Sequence, residues 1–219
     1  MGARFGAPYP KELHCLSPGR TVIDEALNPV AVLAAHGARV RLVVVVGPHK
    51  TATMAYLKRY ERDFEIAFTY QREVAGPELG GALLSAMAFC AGPTLLVLPD
   101  QILCGEGAER SALRAVELLE DASTAVVATA VDDPEEIKRE GALRVEHLPT
   151  GARVTRAAEK PADPLGFNAA WASLAVRPDH RMNLVAAVNR NAESPLVGAP
   201  AVMVQSFTNM TEPERWRTQ

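Results

Sequence analysis

The run Leu42-Val43-Val44-Val45-Val46, closed by Gly47-Pro48, constrains this chain more than any other segment. Its valines are stiff at χ1 and favour an extended backbone. With no polar residue alternating through it, the run has no face to give to water. It reads as a central strand over 39–46, buried on both sides in a parallel sheet.

The same reading predicts strands at 65–70, 94–98 and 124–130. Helical patterns at 21–36, 51–62, 79–89 and 107–120 precede the four strands in turn. Such alternation implies right-handed βαβ crossovers and a mostly parallel sheet covered by helices on both faces. Pro29 removes a backbone donor inside the first helix and predicts a kink or break there. Beyond Asp132-Asp133-Pro134 the pattern changes. The segments 142–147 and 152–158 flank Pro149-Thr150-Gly151 and predict a β-hairpin.

At 219 residues the chain fits one sizeable α/β domain, and no repeat, low-complexity tract or linker divides it. Its 48% hydrophobic and 22% charged residues exclude disordered and fibrous classes. A net charge of −3 argues against a nucleic-acid footprint and for a small-molecule partner. Cys15, Cys90 and Cys104 show neither CxxC nor Cys/His spacing, which argues against a zinc site and a disulfide framework. No apolar run reaches the roughly 18 residues that span a bilayer, and the first residues carry no signal pattern, so a cytoplasmic location is expected.

In an open α/β sheet, ligands bind beyond the carboxyl ends of the strands. Asp100, just past the strand in Val97-Leu98-Pro99-Asp100, could hold Mg²⁺ or cap the next turn. The loop from Gly2 to Pro10, with Arg4 inside it and Lys11 after it, could cradle a triphosphate or be a solvated loop. Trp171, on the strand after the hairpin, could stack on a sugar or belong to the core. The five histidines show no ligand or triad spacing.

Taken in chain order, Gly2-Ala3-Arg4-Phe5-Gly6 with Pro10-Lys11, Tyr70-Gln71 with Gly80-Gly81-Ala82-Leu83-Leu84, Leu96 to Leu103, Gly141 to Lys160 ending in Glu159-Lys160-Pro161, and Thr208 to Trp216 resemble the successive motifs of the sugar-1-phosphate nucleotidyltransferases. The resemblance spans almost the whole chain. It implies a Rossmann-like α/β/α sandwich with a hairpin in the sugar-binding part. It also implies transfer of a nucleotidyl group from a nucleoside triphosphate to a sugar 1-phosphate, with release of pyrophosphate and dependence on Mg²⁺. Arg4 and Lys11 would then steady the pyrophosphate. Gln71, with Gly2 and the Gly80-Gly81 backbone, would bind the nucleotide. Asp100 and Asn209 would stand at the metal. Lys160 would draw in the sugar phosphate, and Gly141, Glu159 and Trp171 would line the sugar pocket. Self-association into a homo-oligomer stays open.

The chain departs from the family pattern in three places. The first strand and the Ala-Ala-Gly turn that precede the nucleotide loop are missing before Met1, which implies either a start farther upstream or a truncated relative whose sheet closes differently. Asn209 stands where the family has a second aspartate. Pro77-Glu78-Leu79-Gly80-Gly81 replaces a Gly-Thr-Ala-Gly segment, setting the Glu78 carboxylate near an anionic ligand. The alternative to an active transferase is therefore a binding-only pseudoenzyme of the same fold.

Overall fold

A computed structural model describes residues 9–47, 50–190 and 194–210. In chain order the elements are β1 (Cys15–Ser17), β2 (Arg20–Thr21), α1 (Val22–Ala35), β3 (Arg41–Val46), α2 (Thr51–Leu57), β4 (Glu65–Tyr70), α3 (Leu79–Ala86), β5 (Thr94–Val97) and β6 (Gln101–Cys104). They continue with α4 (Ser111–Glu117), β7 (Thr124–Ala130), α5 (Pro134–Ile137), β8 (Gly141–Leu148), β9 (Gly151–Glu159), β10 (Ala169–Val176), α6 (Met182–Ala187), β11 (Pro200–Val204) and β12 (Ser206–Asn209). Short 3-10 turns extend α2, α3 and α4 to Tyr60, Phe89 and Glu120.

The expected alternation of strands and helices is present, but the mostly parallel sheet is not. A six-stranded sheet has the order β5-β10-β7-β11-β9-β8. Within it only β11 and β7 run parallel; β10 is antiparallel to both β5 and β7. The valine-rich β3 pairs in parallel with β4 in a separate two-stranded sheet. Periodicity reports which faces are buried and says nothing of chain direction, so the late strand β10 could enter between two earlier ones unannounced. Among the described residues, β3 and β5 each carry a ladder on one edge only.

The two faces of β7 explain the layering. Val126 and Ala128 pack with Leu83 of α3 and Leu184 of α6, whereas Ala125 and Val127 pack with Ala115 of α4. Period-two alternation puts these pairs on opposite faces, so helices cover both sides. Val126, Val127 and Leu174 are fully buried, and burying each such side chain contributes ~1.5–3 kcal/mol. A third cluster seats Phe207 of β12 against Ile137, Ala142, Ala170 and Ala172, fixing β12 beside the start of the hairpin.

Helix α1 is continuous through Pro29, so of the expected kink or break the break does not occur. It starts with a capping box: Thr21 N donates to Asp24 Oδ2 at 2.7 Å. Tyr56 and Tyr60 from the α2 segment also donate to the Asp24 carboxylate. Burial alone would raise the Asp24 pKa, but these hydrogen bonds outweigh it and hold the group below the ordinary aspartate value.

The hairpin stands as expected, with β8 and β9 paired from Gly141↔Glu159 to Leu148↔Gly151 around Pro149-Thr150. Gly151 has φ 116°, a left-handed value open to glycine at little strain. The ribbon of β6 and β12 was not expected. It sets Asn209 opposite Gln101, next to Asp100 in the chain.

Candidate active site

Lys11 begins a 3-10 turn directly after Pro10. Its neighbour Glu12 is buried and accepts from Lys50 Nζ at 2.7 Å and Thr53 Oγ1 at 2.8 Å, which pins the turn to the start of α2. Lys11 Nζ forms an ion pair with the carboxylate of Asp100, in the turn between β5 and β6. The carbonyl of Asp100 accepts Met210 N at 2.8 Å, joining this turn to the end of β12. Lys11, Asp100 and Asn209 are thus brought together from three distant stretches of sequence.

The second half of the site is the open end of the hairpin. Gly141 and Glu159 are paired across β8 and β9. Lys160 Nζ lies 3.7 Å from Glu159 Oε1, and Lys160 N donates to the Glu140 carbonyl at 3.1 Å. Lys160 has φ 48°, the one positive value outside glycine among the described residues. A side chain in that region costs about 1–2 kcal/mol, and such strain concentrates where a fixed geometry is needed.

Glu159 Oε2 is buried and has no hydrogen-bond partner among the described residues. Burial pushes the Glu159 carboxyl above its ordinary pKa, and the nearby Lys160 and Arg190 pull it back only in part. Glu140 behaves alike: burial raises it, while the Asn209 hydrogen bond and Lys160 oppose the rise.

Of the two readings of Trp171, stacking face or core, the structure shows the core position. Its indole is buried in the main core, and a Cβ added to Gly141 would lie 1.6 Å from Nε1. Gly141 is glycine because the indole lies directly against it, so Trp171 backs the hairpin from the core side.

Gln71 follows β4, and its Nε2 donates to the carbonyls of Gly76 at 2.8 Å and Glu78 at 3.1 Å, folding the 72–78 loop back on itself. Gly81 permits that fold, since a Cβ there would sit 2.0 Å from the Gly76 oxygen. Gly80 meets only ordinary contact with Val188. Glu78 is exposed at the N-cap of α3. The structure therefore gathers Gln71, Gly80 and Gly81 around one loop, with the Gln71 amide nitrogen occupied by it. Gly2, Arg4 and the stretch from Thr211 to Trp216 lie outside the described residues.

A family model described as nucleotidyl transferase matches residues 10–176. The chain belongs to the nucleotidyl transferase family. Among solved structures it is similar to a UDP-glucose pyrophosphorylase complexed with UDP-glucose, with 18% identity, a TM-score of 0.74, and 98% of this chain and 91% of that chain covered. It is also similar to a UTP-bound UGPase from Acinetobacter baumannii, with 14% identity, a TM-score of 0.69 and coverages of 99% and 87%. HddC from Yersinia pseudotuberculosis follows, with 16% identity, a TM-score of 0.62 and coverages of 96% and 88%. At such identities the likeness is one of fold. No curated protein matches the chain.

Asp100 and Asn209 are the residues that could offer oxygen ligands to a hard divalent cation, which commonly takes one or two carboxylates from the protein and the rest of its ligands from phosphate and water. No group of three or more His, Cys, Asp and Glu side chains among the described residues forms a ready-made metal cage. The described cysteines are free, and no helix among the described residues is long and apolar enough to cross a membrane. The transferase also holds a residue that motif reading passed over. Glu140 directly precedes Gly141 and touches Asn209. Only its adjacency to the glycine could have marked it in the sequence.

Proposed function

We propose that this chain transfers a nucleotidyl group from a nucleoside triphosphate to a sugar 1-phosphate, releasing pyrophosphate. The carrying observation is the Glu159 carboxylate at the open end of the hairpin, with Oε1 3.7 Å from the Lys160 ammonium and Oε2 buried without a hydrogen-bond partner among the described residues. An unsatisfied buried acceptor is unfavourable until a donor reaches it. A ligand bearing hydroxyls next to a phosphate meets both demands, the hydroxyl donating to Glu159 and the phosphate facing Lys160.

In the reaction, a phosphate oxygen of the sugar 1-phosphate attacks the α-phosphorus. The bond from that phosphorus to the bridging oxygen breaks, and the electron pair leaves with pyrophosphate. Such transfers need positioning and charge neutralisation more than covalent help. Lys11 would steady the leaving pyrophosphate together with Arg4, while Lys160 holds the acceptor phosphate. Gln71, Gly2 and the Gly80-Gly81 segment would receive the nucleotide. Mg²⁺ at Asp100 and Asn209 would offset charge on the phosphates. The presence of both the Lys11–Asp100 pair and the Glu159–Lys160 pair favours this reading over a binding-only relative. A cytoplasmic location and a single domain belong to the same proposal.

The test is pyrophosphate release with Mg²⁺, each common nucleoside triphosphate and a panel of hexose and heptose 1-phosphates. Release that requires both substrates supports the assignment. Nucleotide binding without release under every combination overturns it.

A further inference from the structure

Asn209 places a neutral amide where the resemblance calls for a carboxylate, and a carboxylate stands directly beside it. Asn209 Nδ2 donates to Glu140 Oε1 at 3.2 Å. The Glu140 oxygen accepts this hydrogen bond, with the amide nitrogen of Asn209 turned toward it. The Glu140 carbonyl accepts Lys160 N at 3.1 Å. Met210, next to Asn209, donates its N–H to the Asp100 carbonyl at 2.8 Å. One residue at the foot of β8 therefore touches both the Asp100–Asn209 half and the Lys160 half of the site.

We propose that Glu140 is a positioning residue of the transferase: it orients the Asn209 amide and supplies, from the hairpin, the negative charge that position 209 lacks. The inference rests on the nucleotidyl-transfer reading above. In this chain the second charge has moved across the Asn209–Glu140 contact instead of being lost. A simple Asn209→Asp change then does not restore a missing ligand charge. It sets two carboxylates in contact, where like charges oppose each other.

The experiment is a charge-swap cycle on the full chain, with wild type, Glu140→Gln, Asn209→Asp and the double variant. Mn²⁺ is titrated into each protein and free ion is followed by electron paramagnetic resonance; the Mg²⁺ concentration for half-maximal pyrophosphate release is measured in parallel. Glu140→Gln keeps the shape and an acceptor, and should weaken Mn²⁺ binding about tenfold through loss of a nearby charge. Asn209→Asp should recover most of that loss in the Glu140→Gln background and change wild type by no more than about twofold, a non-additivity expected only of coupled groups. A merely structural Glu140 would give no such dependence on background. Equal Mn²⁺ midpoints for wild type and Glu140→Gln, or the same effect of Asn209→Asp in both backgrounds, would overturn the proposal. Should Glu140→Gln not fold, the double variant is read against wild type: equal Mn²⁺ binding supports the proposal and a tenfold loss overturns it. Turnover without the Mn²⁺ contrast removes the role of Glu140 and leaves the transferase reading intact. The contrast without turnover does the reverse.

Discussion

The ammonium of Lys11 rests on the carboxylate of Asp100, 89 residues away in the chain. Each group is the other's partner here, and each is a candidate partner of a bound nucleotide: the lysine for phosphate oxygens and the aspartate for a divalent cation. Nucleotide binding would exchange one ion pair for two new contacts.

That exchange separates the roles of two lysines. Lys11→Ala should lower kcat on the order of 100-fold with a modest change in KM, because a charge aimed at the leaving group acts most in the transition state. Lys160→Ala should instead raise KM for the sugar phosphate. Steady-state kinetics with each substrate varied checks the split, and a Lys11→Ala variant that alters KM alone would reverse the assignment.

Lys160 also carries backbone strain at φ 48°. Lys160→Gly and Lys160→Ala both remove the charge, but only glycine relieves the strain. Glycine should therefore be the more stable of the two variants by about 1 kcal/mol, net of its larger unfolded-state entropy. Urea denaturation of the pair tests this, and an alanine variant as stable as glycine would show that the backbone there is not strained.

Gly141 and Trp171 predict a steric result. Gly141→Ala drives a methyl into the indole, and such overpacking typically costs about 1–3 kcal/mol. Trp171→Ala removes the ring atoms that clash, so the double variant should lose less stability than the sum of the two single changes. Thermal melts of the four proteins check the coupling; strict additivity would mean that Gly141 is required for another reason.

Asp24 predicts a pH effect on stability remote from the site. Its folded pKa lies below the unfolded value, as the hydrogen bonds from Tyr56, Tyr60 and Thr21 outweigh the opposing effect of burial. The stabilisation is therefore fully present above the unfolded aspartate value of about 3.9 and is lost as pH falls through the lowered folded value. Asp24→Asn should destabilise by about 2 kcal/mol at neutral pH, with the gap to wild type closing in acid. Denaturation at pH 7 and near pH 3 measures it, and a gap independent of pH would exclude a charge contribution.

Local chemistry in the sequence was enough for the elements themselves. Stiff valines mark β3, apolar periodicity marks the four main helices, and Pro149-Thr150-Gly151 marks the hairpin, because each depends on residues that are neighbours in the chain. The ordered motifs likewise brought Lys11, Asp100, Glu159 and Lys160 into view. Strand direction, the β6–β12 ribbon, the burial of Trp171 behind Gly141 and the contact of Glu140 with Asn209 came only with the tertiary structure. Each joins residues far apart in the chain, and none of those pairings leaves a local signature. Asn209 reads as a lost charge in the sequence, and only the fold, by seating β12 against the foot of the hairpin through Phe207, sets a carboxylate beside it.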